Sequence, residues 1–253
     1  MTVKVACHIH SEWSYDASWT LPELAKFFAK RGYQVLLMTE HDRGFDQAKL
    51  NDFKQACSEA SNEDILLIPG IEYSDPTNTI HILTWGNVPF FGADQETLPM
   101  LQHVADHHGL SVLAHPSRKS AWKRFDTLWT PLLNGIELWN RKSDGIRPSP
   151  HARTLVRDTK LPGFYGLDFH RINQSFPLAI NLEIPRTQIN ESTVLETIRL
   201  KNFNLNALNF SSRHIENQPI HSTLNCAEFA RRLIAKTNRS LRKYPQPKRK
   251  PAA

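Results

Sequence analysis

The chain has 253 residues, of which 40% are hydrophobic and 22% charged, a composition typical of one large soluble domain with a full core. It contains no apolar run of the ~20 residues that a membrane-spanning helix needs, and its first residues lack the apolar segment of a signal peptide. The three cysteines form no CxxC pair, which is typical of free thiols in a reducing compartment. We therefore expect a cytoplasmic protein with no membrane partner.

The net charge of +6 comes largely from the C-terminus. Nine Lys and Arg residues and no acidic residue lie between Arg231 and Lys250, so the rest of the chain is slightly acidic. A basic tail at 239–253 could contact nucleic acid nonspecifically. The alternative, which this composition favours, is a solvated helix end followed by a disordered Pro- and Lys-rich terminus.

The first 170 residues alternate between β-rich and helical patterns. The predicted strands are 3–7, 33–39, 65–73, 79–84, 111–115, 136–139 and 164–168. The predicted helices are 20–32, 45–60, 95–109, 121–133 and 150–160. In the first helix Thr20 and Glu23 match a capping box, Pro22 lies in the first turn, and Gly32 suits the C-terminal end.

This alternation predicts an α/β fold with a parallel sheet and helices outside it, either open or closed into a barrel. The chain lacks G-x-G-x-x-G after the first strand and lacks a P-loop motif, so neither a dinucleotide site nor a P-loop site is supported. We interpret 1–175 as the core of the domain. A further strand at 178–184 and helices at 191–201 and 224–242 predict that 176–238 extends the same domain.

Histidines and carboxylates occur where the predicted strands end. They lie in the segments His8-Ile-His10, Thr39-Glu-His-Asp42, Pro69-Gly-Ile-Glu72, Ala114-His-Pro116, Gly135-Ile-Glu-Leu-Trp-Asn140 and Gly166-Leu-Asp-Phe-His170, with His81 inside the fourth strand. In α/β barrels such strand ends converge on one mouth. A lone buried histidine is more often structural than a metal ligand, but this repetition at successive strand ends predicts one polar cluster.

Two motifs carry paired ligands. In His8-x-His10 and in Asp168-x-His170, the side-chain period of two places both groups on one side of an extended chain. Imidazole and carboxylate together suit Zn, Mn or Fe better than Ca or Mg, which prefer oxygen ligands. These pairs therefore favour a transition-metal site.

The chain resembles the PHP (polymerase and histidinol phosphatase) family over roughly residues 3–175. The resemblance is carried by the ordered series His8-Ile-His-Ser-Glu-Trp-Ser-Tyr-Asp16, Thr39-Glu-His-Asp42, Pro69-Gly-Ile-Glu72, His81, Ala114-His-Pro116 and Gly166-Leu-Asp-Phe-His170. It implies a distorted seven-stranded (β/α) barrel that holds two to three divalent metal ions. The ligands it implies are His8, His10, Glu72 and Asp168 for the first metal, Glu72, His81 and His115 for the second, and Asp16, His41 and His170 for the third. Tyr15 and Glu40 stand where the family pattern commonly has aspartate.

The function implied by the resemblance is that of a metal-dependent phosphoesterase. It would hydrolyse a phosphomonoester of a nucleotide, a phosphorylated metabolite or an oligonucleotide end through attack by a metal-bridging hydroxide, with Glu72, Asp168 and His170 as catalytic residues. Arg43 and Arg118 directly follow two of the motifs and are the candidate substrate-binding cations.

Two other functions are consistent with the same residues. A metal-dependent amidohydrolase uses a similar barrel and similar ligand types. A noncatalytic regulatory or nucleic-acid-binding module could retain the barrel with a vestigial site. The aromatic residues Trp13 and Tyr15, in the turn after the first strand, are the best candidates for stacking on a nucleobase.

Overall fold

The computed structural model describes residues 2–212 and 218–242, with the side chains of the last helix described from 222 to 234. These residues form a mixed α/β structure in which helices pack against two six-stranded sheets. Within the described ranges, every helix is too short or too polar to cross a membrane. The predicted basic tail at 239–253 lies outside the described residues from position 243 onward.

The strands fall into two sheets. Their bounds are β1 Val3–Ile9, β2 Val35–Met38, β3 Glu40–His41, β4 Leu66–Ile68, β5 Gly70–Ser74, β6 His81–Trp85, β7 Leu110–Leu113, β8 Gly135–Asn140, β9 Gly163–Gly166, β10 Leu178–Leu182, β11 Phe203–Ala207 and β12 Phe210–Ser211. The first sheet has the order β12-β11-β10-β1-β2-β4, and the second has the order β3-β5-β6-β7-β8-β9. The α/β class is therefore confirmed, whereas a regular all-parallel barrel is not what forms.

Two chain segments cross from the first sheet to the second. β2 continues into β3 past Thr39, and β4 continues into β5 past Pro69, which has no N–H to donate to a ladder. At Gly70 a Cβ atom would come within 2.6 Å of the Met38 carbonyl oxygen. Glycine is therefore needed where the backbone passes this close to its neighbour.

The two sheets also meet after β9. Leu167 N–H donates to the Cys7 carbonyl at 2.9 Å, and Phe169 N–H donates to the His8 carbonyl at 3.0 Å. His10 N–H in turn donates to the Phe169 carbonyl at 3.0 Å. These bonds hold the segment after β9 beside the end of β1, so the polar residues of both segments share one edge.

The prediction of a parallel sheet is wrong at β6, which runs antiparallel to both β5 and β7. A parallel pair needs a crossover of a dozen or more residues, whereas only six residues, 75–80, join β5 to β6. The reversal matters for function, because it brings the first residue of β6, His81, to the edge where the parallel strands end.

Seven helices are described. Their bounds are α1 Leu21–Ala29, α2 Gln47–Ala60, α3 Thr97–Asp106, α4 Arg141–Asp144, α5 Pro150–Thr159, α6 Glu191–Arg199 and α7 Gln218–Arg242. The predicted capping box of α1 is confirmed: the Thr20 side chain accepts from Glu23 N–H, and the Glu23 carboxylate accepts from Thr20 N–H at 2.9 Å. The helix buries Leu21, Leu24, Ala25 and Phe28.

The helix predicted at 121–133 does not form as one α-helix. Two 3₁₀ segments, Arg118–Arg124 and Thr127–Leu132, replace it. Lys119 and Ser120 have φ values of 48° and 58°, which interrupt any regular helix, and Pro131 cannot donate an intrahelical hydrogen bond. The prediction of one α-helix at 121–133 is therefore wrong.

The residues after 175 contribute to the first sheet. β10 pairs antiparallel with β1, and β11 pairs antiparallel with β10. The buried side chains Val194, Leu195 and Ile198 of α6 belong to the same hydrophobic core as the strands. β10 thus lies next to the strand that carries His8.

Candidate metal centre

Six histidines and three carboxylates gather at the edge where β1, β3, β5 and the segment after β9 end. They are His8, His10, Asp16, His41, Glu72, His81, His115, Asp168 and His170. Eight of the nine are buried, and Asp16 is the more exposed member, with 37% of its side-chain surface accessible. The structure thus brings together every residue predicted to bind metal, and their function as ligands remains a prediction.

The carboxylate of Glu72 is the centre of this cluster. Ring nitrogens of five histidines lie within 3.5 Å of its two oxygens. The distances are 3.5 Å for His8 Nε2, 3.4 Å for His10 Nε2, 3.0 Å for His41 Nδ1, 2.7 Å for His81 Nδ1 and 2.9 Å for His115 Nε2. A single buried carboxylate has more imidazole neighbours here than it can use as hydrogen-bond donors. The donor set around this carboxylate therefore fits a divalent metal.

The outer ring nitrogens of the first two histidines are held in place. His8 Nδ1–H donates to Glu137 Oε1 at 2.8 Å, and His10 Nδ1–H donates to Ser14 Oγ at 3.2 Å. Their Nε2 atoms point into the cluster and are buried without a hydrogen-bond partner, as is His115 Nδ1. Metal-binding histidines characteristically donate the other ring N–H to a carboxylate, carbonyl or similar acceptor. The residues present thus fit a divalent metal.

Asp16 joins a second group of candidate ligands on the outer side of the cluster. Its carboxylate lies 3.3 Å from His41 Nε2 and 3.1 Å from His170 Nε2. His10, His41 and His170 each place a ring nitrogen within 4.8 Å of the others. Ring nitrogens of His8 and His10 and a carboxylate oxygen of Asp168 form a second trio of this kind. Although Tyr15 occupies the place of the expected aspartate, Asp16 reaches the two histidines with which it was predicted to act.

The backbone at three of these residues is left-handed. His8, His115 and Asp168 have φ values of 65°, 25° and 51°, a region that non-glycine residues rarely adopt. The pairing of β1 with β2 shifts register between Cys7 and Ile9, which is a β-bulge at His8. The regular period of two therefore does not place His8 beside His10, because the bulge aims the His8 side chain. Strained backbone of this kind concentrates at functional sites.

Glu137 is the most important residue to which the sequence assigned no role. Besides the His8 ring, its carboxylate accepts from His115 N–H at 2.7 Å and from Asn140 Nδ2 at 2.9 Å. A Cβ atom at Gly166 would overlap Glu137 Oε1, so glycine leaves room for this carboxylate. The position of Glu137 on the sixth predicted strand was the available signal, but its partner His8 lies 129 residues away.

Glu40 supports the turn that carries Asp16. This fully buried carboxylate accepts from Ser11 N–H at 3.0 Å, from Ser11 Oγ at 2.6 Å and from Ser14 Oγ at 2.5 Å. Ser14 Oγ also accepts from His41 N–H at 3.0 Å. A glutamate in place of the usual aspartate therefore stabilises the turn after β1. None of its described hydrogen bonds reaches a candidate metal ligand.

The two candidate substrate-binding arginines have different surroundings. Arg118 donates to the Asn78 carbonyl at 3.0 Å and to Asn78 Oδ1 at 2.9 Å, and its Nη1 lies 3.0 Å from His81 Nε2. Arg43 is half-exposed and forms an ion pair with Asp94 at 2.9 Å. Both line the small cavity over the cluster, so both can reach a group bound there.

Lys142 is a third cation at the cluster. Its Nζ lies 3.0 Å from Asp168 Oδ1 and 3.3 Å from His170 Nε2. The residue lies two positions after the end of β8, where a basic residue could receive phosphate, and the structure places it against two candidate ligands. It lines the same cavity as the two arginines.

Burial and neighbouring charges shift the pKa values of the histidines in the cluster. Burial disfavours the His8 imidazolium, but Glu137, Glu72 and Asp168 outweigh burial and raise the pKa of His8 well above its usual value. Burial also disfavours the His41 imidazolium, but Asp16 and Glu72 outweigh burial and raise the pKa of His41 to about 10. Burial, together with the neighbouring His170 and His41, lowers the pKa of His10 well below its usual value.

The carboxylates of the cluster stay ionised. Burial alone would raise the pKa of Glu72, but the surrounding histidines, His81 and His8 first among them, hold it well below its usual range. The pKa values of Asp16 and Asp168 are lowered as well, by the neighbouring histidines and, for Asp168, by Lys142. Ionised carboxylates next to a neutral imidazole such as His10 are a donor set for a divalent cation.

The two aromatic residues of the turn after β1 have different surroundings. Trp13 is partly buried and packs on Phe45 and Phe53, with ring centroids 6.4 Å and 5.4 Å away, and its stacking on a nucleobase stays a prediction. Tyr15 is 68% exposed and stacks on His41 with the ring centroids 5.0 Å apart. It lines the cavity over the cluster, which has a volume of about 70 Å³.

No protein-family model matches this sequence, and no curated protein matches it significantly. Solved structures do match the fold. A two-domain protein from Bacteroides vulgatus containing a predicted PHP-like metal-dependent phosphoesterase superposes with a TM-score of 0.63 at 15% identity, over 82% of this chain and 65% of that one. The present chain thus spans slightly less than two thirds of that relative's length.

Two further structures share the fold. The lesion-specific endonuclease Q from Pyrococcus furiosus gives a TM-score of 0.58 at 15% identity, over 79% of this chain and 56% of that one. PsfC from Pseudomonas syringae gives a TM-score of 0.55 at 14% identity, over 75% of this chain and 85% of that one. The fold of this chain is therefore the one found in PHP-like phosphoesterase structures, as its sequence motifs predicted.

Proposed function

We propose that this protein is a metal-dependent phosphoesterase of the PHP type. The observation that carries the proposal is the Glu72 carboxylate, which is buried within 3.5 Å of ring nitrogens from five histidines. Ring nitrogens that are buried without a hydrogen-bond partner support it, because buried polar atoms are normally paired. We also infer a distorted seven-stranded barrel, counting β2 with β3 and β4 with β5 as single strands.

The candidate ligands divide into three groups. His8, His10, Glu72 and Asp168 would hold the first metal, Glu72, His81 and His115 the second, and Asp16, His41 and His170 the third. Two or three Mn, Fe or Zn ions bound there would supply Lewis acidity and lower the pKa of a water molecule toward about 7. The cluster offers no prominent side-chain nucleophile, since Cys7 is buried in the core and burial raises its pKa.

The chain's own residues would bind and orient the phosphoryl group. Three cations line the small cavity over the cluster: Arg43, Arg118 and Lys142. Asn78 accepts two hydrogen bonds from the Arg118 guanidinium through Nη1 and Nη2, which fixes the position of this charge at the cavity. Glu72, Asp168 and His170 are the side chains whose loss should be most damaging.

The substrate class we propose is a phosphomonoester of a nucleotide, of a phosphorylated metabolite or of an oligonucleotide end. Endonuclease Q, which shares the fold, has been solved in complex with a 27-mer duplex substrate carrying an abasic lesion at the active site. That complex is consistent with a nucleic-acid substrate. Free cysteines are consistent with our placement of the protein in the cytoplasm.

Metal analysis combined with a phosphate-release screen tests the proposal. Wild-type protein should contain at least two Mn, Fe or Zn ions per chain and release phosphate from nucleotides, oligonucleotides or phosphorylated metabolites. His8→Ala should lose both properties, whereas His151→Ala, which removes an exposed histidine stacked on Trp122, should keep them. Folded wild-type protein that binds no divalent metal would overturn the proposal.

The same preparation separates the two alternative functions. An amidohydrolase would act on amide or lactone substrates in preference to p-nitrophenyl phosphates. A noncatalytic module would release no phosphate and would still bind nucleic acid.

A further inference from the structure

A basic groove lies beside the small cavity of the candidate metal centre. It has a volume of about 410 Å³, and four cationic side chains line it: Arg141, Lys142, Arg171 and Arg231. They come from three separate parts of the chain, namely α4, the segment after β9, and α7. Tertiary folding, rather than a local run of basic sequence, thus gathers these charges.

The groove is continuous with the cluster. Asp16 and Lys142 line both the groove and the small cavity. Lys142 Nζ marks the boundary, since it lies 3.0 Å from Asp168 Oδ1 and faces His170. A molecule that places one group over the candidate metals would therefore extend past Lys142 into the groove.

The groove has an excess of positive charge. Among the described residues that line it, Asp16 is the only carboxylate, and it already faces His41 and His170. Arg141 is half-buried, and its Nε is buried without a hydrogen-bond partner. Burial and the nearby Arg231 lower the pKa of Arg141, and the nearby Glu228 opposes this shift. An anion bound in the groove would stabilise both guanidinium groups.

The last helix holds Arg231 in place. Glu228 of α7 is 1% exposed and accepts from Ile146 N–H at 3.1 Å, while its oxygens also accept from Arg231 at 2.7 Å and 2.8 Å. Asn225, one turn earlier, accepts from Arg147 Nη1 at 2.7 Å. These contacts dock α7 on the loop after α4, so Arg231 enters the groove from a fixed helix.

We propose that the groove of Arg141, Lys142, Arg171 and Arg231 binds a second phosphoryl group of the substrate. This inference rests on the proposed phosphoesterase function and narrows it to substrates that carry a phosphate beyond the one released. Guanidinium groups match phosphate oxygens in a bidentate geometry, and three of the four cations are arginines. The second phosphate has two possible sources, a doubly phosphorylated small molecule or the backbone of a short oligonucleotide.

Paired substrates test the groove. The pairs are fructose 6-phosphate with fructose 1,6-bisphosphate and a nucleoside 5′-monophosphate with a 5′-phosphorylated dinucleotide. Wild-type protein should prefer the doubly phosphorylated member of at least one pair, and the pair concerned identifies the source. Arg171→Gln and Arg231→Gln should each reduce that preference, as a ratio of kcat/KM values, by about 10-fold, the effect of losing one charge-assisted hydrogen bond.

Matched variants guard against indirect effects. Arg157→Gln removes an exposed arginine of α5 that pairs with Asp158, and it should leave the preference unchanged. Arg231→Gln could disturb the docking of α7, but Arg171 lies on a different segment, and both variants should behave alike. An unchanged preference in both variants would overturn the inference, as would the absence of any preference in the wild-type protein.

A binding measurement separates failure of the groove from failure of the proposed function. Fluorescence anisotropy of a labelled, 5′-phosphorylated pentanucleotide is recorded with protein kept in chelator, so that no turnover is required. The affinity should fall about 10-fold in Arg171→Gln, and the salt dependence of binding should weaken because fewer counterions are displaced. Equal affinity and salt dependence in wild type and variant would overturn the groove even where phosphate release is observed.

Discussion

Two buried glutamates at neighbouring strand positions have opposite surroundings. Glu40 of β3 and Glu72 of β5 are 0% and 1% exposed, and the two strands pair in parallel with His41 opposite Glu72. Glu40 is surrounded by hydroxyl and N–H donors of Ser11 and Ser14 that satisfy its oxygens. Glu72 is surrounded by imidazoles, and ring nitrogens of His8 and His10 remain without a hydrogen-bond partner.

The opposite pKa shifts of the two groups reflect this difference. Burial raises the pKa of Glu40 because its partners are neutral dipoles, and their hydrogen bonds offset only part of the cost of burying a charge. The histidines around Glu72 hold its pKa well below the usual value. Glu40, whose oxygens accept hydrogen bonds from neighbouring donors, stabilises a turn. Glu72, which lies among unpaired ring nitrogens, has the surroundings of a group that binds a metal ion.

The largest expected effect is that of Glu72→Gln. A neutral amide would remove the charge that bridges the ligand groups, and its NH₂ would face ring nitrogens. Metal affinity and phosphate release should both fall by more than about 100-fold, beyond the effect usual for a supporting residue. Metal content after dialysis and phosphate release measure this, with Glu40→Gln as the isosteric control. Glu72→Gln protein that keeps the wild-type metal content would remove the distinction between the two glutamates.

Glu137→Gln should have the next largest effect. The side-chain oxygen of the glutamine could still accept from His8 Nδ1–H. The amide NH₂ would then face two donors, His115 N–H and Asn140 Nδ2. We expect metal affinity to fall by about 10- to 100-fold, the cost typical of losing a group that orients a ligand. Titration calorimetry with Mn²⁺ or Zn²⁺ measures it. An unchanged affinity would mean that the His8 ring needs no support from Glu137.

The sequence was sufficient to predict the cluster but not the groups that support it. His8, His10, Glu72 and Asp168 occur in short motifs next to predicted strands, and local patterns of this kind are visible in one chain. Glu137 also lies in a predicted strand, but its function depends on a residue far away in sequence and on the space left by Gly166. Such a role follows only from tertiary packing.

The departures in the fold have similar causes. The α1 capping box is a local feature, and it formed as predicted. The left-handed backbone at His8 depends on the register between β1 and its neighbours, which periodicity does not encode. The reversed direction of β6 was open to inference, because the predicted connection at 74–78 was already too short for a crossover.

Glu40→Gln should affect stability more than metal binding. The amide NH₂ would face Ser14 Oγ, whose acceptor sites already serve His41 N–H and His10 Nδ1–H. The free energy of unfolding should therefore fall by about 1–3 kcal/mol, the cost of an unsatisfied buried donor. Urea unfolding of the metal-free protein measures this loss. Metal affinity should change less than in Glu137→Gln, and a larger change would show that the turn after β1 determines the site.

The smallest expected effect is a difference in pH dependence, measured on metal-free protein by urea unfolding between pH 4 and pH 7. The lowered pKa of Glu72 means that its stabilisation is present above the unfolded value of 4.5 and is lost as the pH falls. The advantage of wild type over Glu72→Gln should therefore grow as the pH rises from 4 to about 5.5, where the unfolded chain loses this proton, and stay constant above that. The raised pKa of Glu40 has the opposite sign, because the folded protein then holds the proton more tightly than the unfolded chain. The advantage of wild type over Glu40→Gln should accordingly shrink as the pH rises above 4.5, with neither slope exceeding about 1.4 kcal/mol per pH unit. Slopes of the same sign for both variants would contradict the assignment of Glu40 to a satisfied network and of Glu72 to a ligand cluster.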